Sequence, residues 1–134
     1  MNEQDIVRVR DVMTPDVKTI DRIQTVAEAI EMMRHSGVSS LIVERRNEND
    51  EFGLIVVSDI ATKVIGPDKS PDRVNVYDVM TKPVITVHGD MDIRYAVRLL
   101  GHFKISRALV IDQARAPLGI VTLRDMVLRH GQGS

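Results

Sequence analysis

The chain states its pattern twice. Asp11-Val12-Met13-Thr14 returns as Asp78-Val79-Met80-Thr81, 67 positions later. In that register Val17 and Thr19 match Val84 and Thr86, Ala29 matches Ala96, Ser39 matches Ser106, and Val43 matches Val110. After one net deletion the offset becomes 66, and Gly53 with Asp59 reappears as Gly119 with Asp125. Two copies of about 60 residues fill nearly all of the chain, which predicts a tandem module with an approximate two-fold axis and paired sites where the copies meet.

Each copy reads as β-α-β-β-α. A short extended piece opens it, Asp16–Ile20 or Pro83–Val87. A helix follows in the first copy, started by the capping box Thr25-x-x-Glu28. Its apolar face is Val26, Ala29, Ile30 and Met33, at i, i+3, i+4 and i+7, and Gly37 stands where a left-handed terminal residue belongs. In the second copy Asp92 is the cap and Ile93, Ala96, Val97 and Leu100 form the stripe. Ser39–Val43 and Ala108–Ile111 are unbroken apolar runs, which predicts strands buried on both faces. Polar turns, Glu44–Glu51 and Asp112–Pro117, lead to the strands Phe52–Val57 and Leu118–Leu123. Helices then begin near Ser58-Asp59 and Arg124-Asp125. Gly66 to Pro71, with two prolines and a glycine, reads as a linker. One such unit cannot cover both faces of its own sheet, so the expected fold is α/β (α+β), two β-α-β-β-α repeats packed sheet to sheet with pseudo-two-fold symmetry.

Composition excludes several classes of function. The chain has 134 residues, 43% of them apolar, and no apolar run approaches the roughly 18–20 residues needed to span a bilayer. Met-Asn-Glu-Gln-Asp at the start resembles neither a signal peptide nor a transit peptide. There is no cysteine, hence no disulfide, thiolate metal site or thiol nucleophile. These features predict a cytoplasmic protein without a membrane span. A net charge of −1 argues against nucleic acid as a partner. Phe52, Tyr77, Tyr95 and Phe103 are the only aromatic rings, too few for a stacking platform. The halves differ in charge: residues 1–67 hold 12 Asp/Glu and 8 Lys/Arg, and 68–134 hold 7 and 10. Drift between diverged copies explains this, and so does an anion bound nearer the second copy.

No catalytic arrangement is legible. His35 and His102 occupy equivalent positions in the last turn of each first helix. They read as solvated helix ends or as a paired metal site, and no neighbouring ligand spacing supports the second. His88 and His130 complete the histidines. Neither G-x-G-x-x-G nor a P-loop occurs, and no serine has a nucleophile's context. The recurrent polar feature is the strand-to-helix junction, Gly53-Leu-Ile-Val-Val-Ser-Asp59 and Gly119-Ile-Val-Thr-Leu-Arg-Asp125. An aspartate there can cap the helix, or it can accept two hydrogen bonds from the vicinal hydroxyls of a ribose. Thr122 could add a hydroxyl for sugar or phosphate.

These residues resemble a tandem pair of cystathionine β-synthase (CBS) domains, a Bateman module. The matching residues are D-V-M-T at 11–14 and 78–81, V-K-T-I (17–20) and V-I-T-V (84–87), V-S-S (38–40) and I-S-R (105–107), and the two junctions at 53–59 and 119–125. The resemblance covers residues 8–129. It implies a first repeat at 8–66, a linker at 67–75, a second repeat at 76–130, and flexible tails at 1–7 and 131–134. It also implies a non-enzymatic sensor whose clefts between the repeats bind an adenosyl regulatory ligand: AMP, ADP or ATP, with S-adenosylmethionine and NADH as alternatives. No cofactor, metal or catalytic residue is required.

One cleft would combine Thr122, Arg124 and Asp125 with Met13, Pro15, Asp16, Val17 and Lys18, and with Val38, Ser39 and Ser40. Its mate would combine Ser58 and Asp59 with Met80, Lys82, Pro83, Val84 and Ile85, and with Ile105, Ser106 and Arg107. The aspartates would hold the ribose, and Arg107, assisted by Lys18, Lys82 and Arg124, would meet phosphate unless Arg107 is a surface ion-pair partner. Val56 stands where the second copy has Thr122, and Lys82-Pro83 where the first has Pro15-Asp16, so the clefts should be unequal, with the Asp125 cleft favoured. A homodimer through helices, and an effector protein reached in trans, complete the expectation. The alternative is a structural interaction module with degenerate, empty clefts.

Overall fold

The structure is a computed structural model that describes residues 6–129. The expectations for His130 and for the terminal residues 1–5 and 131–134 lie outside the described residues. The chain forms two compact units. One holds Lys18–Val84; the other joins the residues up to Val17 to those from Ile85 onward. The sequence copies and the compact units therefore do not coincide. Each Asp-Val-Met-Thr segment lies in the unit that carries the other copy's central strands.

In the Lys18–Val84 unit, β2 (Thr19–Ile20), β3 (Ser40–Val43) and β4 (Gly53–Val56) form a sheet of order β2-β3-β4, its first pair parallel and its second antiparallel. The parallel pair needs a crossover, which α2 (Val26–Ser36) supplies. Its start is the expected capping box: the Thr25 hydroxyl accepts from the Glu28 N–H at 3.1 Å, and the Glu28 carboxylate accepts from the Thr25 N–H. Its end is Gly37, at φ 68°, where a side chain would be strained. Val26, Ala29 and Met33 turn inward onto Ile20, Leu41, Val43 and Ile55. Helix α3 (Val57–Ile60) continues into a π-helical turn, Ala61–Ile65.

The other unit contains α1 (Val9–Val12), β1 (Thr14–Pro15), β5 (Thr86–His88), α4 (Ile93–Phe103), β6 (Arg107–Ile111), β7 (Pro117–Thr122) and α5 (Leu123–Leu128). Its sheet runs β1-β7-β6-β5. Val9, Val12, Ile93, Ala96, Leu100, Val121 and Met126 share its core. Helix α4 is capped by Asp92, whose carboxylate accepts from the Arg94 N–H at 2.9 Å. Central strands β3 and β6 are buried on both faces, as their apolar runs predicted: Ile42 and Leu109, outside either core cluster, are covered as fully as their neighbours.

The duplication explains how each unit assembles. Val26 N–H donates to Val74 O and Val76 N–H to Gln24 O; the matched bonds are Ile93 N–H to Val7 O and Val9 N–H to Met91 O, all 2.8–2.9 Å. In both units the residues ahead of Asp-Val-Met-Thr thus pair with the entrance of the other copy's helix. The extended piece expected over Asp16–Ile20 is shorter than predicted. Asp16 adopts φ 62°, a left-handed conformation that aspartate tolerates, and this separates β1 from β2. The result is a mixed α/β fold with two sheets.

Candidate functional site

The junction ending in Asp125 is built by three neighbouring pieces of one unit. Strand β1 pairs antiparallel with β7, Thr14 opposite Ile120 and Pro15 opposite Gly119. Gly119 is the reason the Met13–Pro15 segment can lie so close. A β-carbon there would stand 2.4 Å from the Thr14 carbonyl oxygen and 3.0 Å from the Met13 sulfur. On the other side of β7, Arg107 sits opposite Thr122, and the Leu123 N–H donates to the Ser106 carbonyl at 2.9 Å. Met13, Pro15, Ser106, Arg107, Thr122, Arg124 and Asp125 thus gather around one strand end.

The two polar residues of the junction have separate roles. Thr122 is the N-cap of α5, its hydroxyl accepting from the Asp125 N–H at 3.0 Å. Asp125, three residues further on, caps nothing. Its side chain is half-buried, and among the described residues no hydrogen bond or ion pair engages its carboxylate. The capping explanation offered for this aspartate belongs to Thr122.

The Lys18–Val84 unit repeats the plan. Leu54 and Thr81 exchange two backbone hydrogen bonds of 2.8 Å, setting Met80–Thr81 beside β4. Gly53 allows this approach, with a built β-carbon 3.0 Å from the Met80 sulfur and 3.3 Å from the Thr81 carbonyl oxygen. Val57 N–H donates to Ser39 O at 3.0 Å, and Val38, Ser39, Ser40, Ser58, Asp59, Met80, Lys82, Pro83 and Val84 all fall within this unit. Asp59 is half-buried without a side-chain partner among the described residues. Here no side chain caps α3, because Val56 replaces the threonine. Val38–Ser40 fall in one unit with Asp59, and Ile105–Arg107 in one unit with Asp125. Ile85 joins the Asp125 unit and Lys18 the Asp59 unit.

Among the basic candidates, Lys18 and Arg124 are exposed. Lys82 is occupied: its ammonium lies 2.8 and 2.9 Å from the two carboxylate oxygens of Asp50. That contact, then the N–H groups of Arg46, hold the Asp50 carboxyl well below the usual carboxylate range. Sequence reading missed Asp50, whose one visible signal was its place in a charge-dense turn. It also missed Arg129, whose guanidinium donates to the Val12 carbonyl at 3.1 Å and the Met13 carbonyl at 3.4 Å and so fastens the Met13 segment to the end of α5. His35 and His102 are exposed in the last turns of α2 and α4, and His102 meets the Phe103 ring edge-on at 5.0 Å. Among the described residues no cluster of three or more His, Cys, Asp or Glu is arranged for a metal, and no helix is long and apolar enough to cross a membrane.

Two sheets of duplicated plan, with an aspartate at each strand-to-helix junction, define a tandem-repeat module. The CBS domain family matches residues 9–66 and 76–129, and the chain belongs to that family. A Methanopyrus kandleri protein, named only as uncharacterised, is 37% identical over 122 residues, 90% of this chain and 61% of its own length. The hexameric CBS-CP12 protein from bloom-forming cyanobacteria superposes with a TM-score of 0.88 at 33% identity, over 94% of this chain and 72% of that one. The CBS domain pair of protein MJ0100, solved with 5′-methylthioadenosine and S-adenosyl-L-methionine, gives a TM-score of 0.78 at 25% identity, over 96% of this chain and 99% of that one. The chain spans 24% to 61% of the length of the first curated relatives, which include an inosine-5′-monophosphate dehydrogenase carrying the matched region as a minor part.

Proposed function

We propose that the chain is a non-enzymatic sensor that binds an adenosyl ligand, AMP, ADP or ATP, at its strand-to-helix junctions and passes occupancy on by a shift in conformation. The observation that carries this reading is Asp125: a half-buried carboxylate without a side-chain partner among the described residues, relieved of capping by Thr122. A carboxylate so placed can accept both hydroxyls of a ribose, and the neighbouring Met13–Pro15 segment offers backbone groups and an aliphatic wall to the base. The MJ0100 pair, solved with two adenosyl compounds, supports the ligand class. The hexameric relative supports self-association, and a homodimer signalling to an effector protein is the form we propose.

The test is thermal unfolding with AMP, ADP, ATP and S-adenosylmethionine against CMP and GTP. A ligand present at a hundred times its dissociation constant stabilises by about 2.7 kcal/mol. An adenosyl-specific rise in melting temperature is the expected result, and its absence at millimolar ligand overturns the reading. A second reading, a protein-interaction module, is favoured by one feature. An apolar groove of about 320 Å³ lies between α2 and α3, bordered by Ile30, Met33, Val38, Val57, Ile60 and Ile65. Val57 and Ile65 are 48% and 56% exposed.

A further inference from the structure

Helix α1 is only four residues long, and the carbonyls at the end of a helix have no donor within it. Arg129 supplies one from the far end of the chain. Its guanidinium donates to the Val12 carbonyl at 3.1 Å and to the Met13 carbonyl at 3.4 Å. A guanidinium is a rigid donor that keeps its proton at any ordinary pH, so the tie is permanent.

Arg129 is bound to Asp125 through the helix. Its N–H donates to the Asp125 carbonyl at 2.9 Å, so the two side chains leave α5 one turn apart on the same face. The face that bears Asp125 therefore borders the Met13 segment, and Val12 and Met126 share the core beneath it. Further along, the same segment pairs with β7, Thr14 opposite Ile120 and Pro15 opposite Gly119. The segment that walls the junction is thus held on the strand by backbone pairing and on the helix by Arg129. In the other copy Met80–Thr81 is likewise paired with β4. Lys63 stands there at the position matching Arg129, 66 residues earlier, in the π-helical turn. Among the described residues no hydrogen bond or ion pair engages it.

We propose that Arg129 is the positioning residue of the Asp125 junction. By fixing the Val12 and Met13 carbonyls to the end of α5, it sets the spacing between the Met13–Pro15 segment and the Asp125 carboxylate before an adenosyl ligand arrives. The inference rests on the adenosyl reading above. A site set in advance binds more tightly because the ligand need not order it. Arg129 touches the wall and not the ligand, so its loss weakens charged and uncharged adenosyl ligands by the same factor.

The test is calorimetric titration of the full chain carrying Asp59→Ala, so that the Asp125 junction is read alone, with adenosine and with AMP. Arg129 is exposed, and Arg129→Leu keeps an apolar stem while removing the donor. It is expected to weaken both ligands roughly tenfold, the scale of one hydrogen bond from a charged group. Methyl NMR of the seven methionines gives a second readout. Without ligand the Met13 signal should move or broaden in the Arg129→Leu chain, and saturating AMP should return it to its place in the liganded Asp59→Ala chain. Unchanged affinities, whatever the melting temperature does, make Arg129 a stabilising contact and overturn the proposal. A loss confined to AMP overturns it too, because the guanidinium would then meet the phosphate. So does a Met13 signal that stays put in the free variant, or an Asp59→Ala chain that binds neither ligand while the parent binds AMP. Each of these outcomes leaves the adenosyl reading standing. A parent chain that binds neither overturns both.

Discussion

Gly119→Val is expected to be among the most damaging single substitutions in the chain, with a loss of about 3 kcal/mol and a fall in melting temperature on the order of 10 °C. The cause is a carbonyl oxygen, not a side chain. Even the first added carbon would stand 2.4 Å from Thr14 O, so β1 and β7 must separate, and Pro15 and Met13 move with Thr14. Gly53 makes an internal control. Its built β-carbon approaches the Met80 sulfur at 3.0 Å and the Thr81 oxygen at 3.3 Å, contacts that a flexible thioether and a few tenths of an ångström of backbone movement can relieve. Gly53→Ala should therefore cost less than Gly119→Ala, measured by urea unfolding of each. Equal losses would mean that strand propensity, not the close approach of the Met13–Pro15 segment, governs both positions.

That glycine shows where sequence reading succeeds and where it stops. The repeat made Gly53 and Gly119 visible as a matched pair, but not the reason for the match, because the Met-Thr segments they make room for lie more than 25 residues away in sequence. Local signals transferred well. Thr25 with Glu28, Gly37 and Asp92 end their helices as their chemistry dictates, and the apolar runs of β3 and β6 are buried on both faces. Local patterns do not say which copy supplies a strand's neighbour. The pairing of Met13–Pro15 with β7 and of Met80–Thr81 with β4 is a long-range choice that no local pattern reports. Asp50 and Arg129 were illegible for the same reason. Each looks like an ordinary surface charge until Lys82, 32 residues on from Asp50, and the carbonyls of Val12 and Met13, over a hundred residues before Arg129, are seen beside them.

Asp125→Ala should weaken binding of an adenine nucleotide by about ten- to a hundredfold while leaving the unliganded protein nearly as stable as before. Two ribose hydroxyls donating to a carboxylate form hydrogen bonds to a charged group, worth about 1.5–3 kcal/mol, and alanine accepts neither. Stability should change little because the carboxylate engages no side chain or backbone donor among the described residues. Losing an acidic residue from the first turn of α5 costs about 0.3–1 kcal/mol through the helix dipole. Thr122→Ala should behave in the opposite way. It removes the hydroxyl that accepts from the Asp125 N–H, a capping loss of about 1 kcal/mol in stability. Thr122→Ser, which keeps the hydroxyl, should restore it. Affinity from calorimetry and melting temperature without ligand, measured for all three variants, separate the two residues. A collapse in melting temperature for Asp125→Ala with affinity unchanged would make the aspartate a structural residue of the helix start and remove the ribose from this junction.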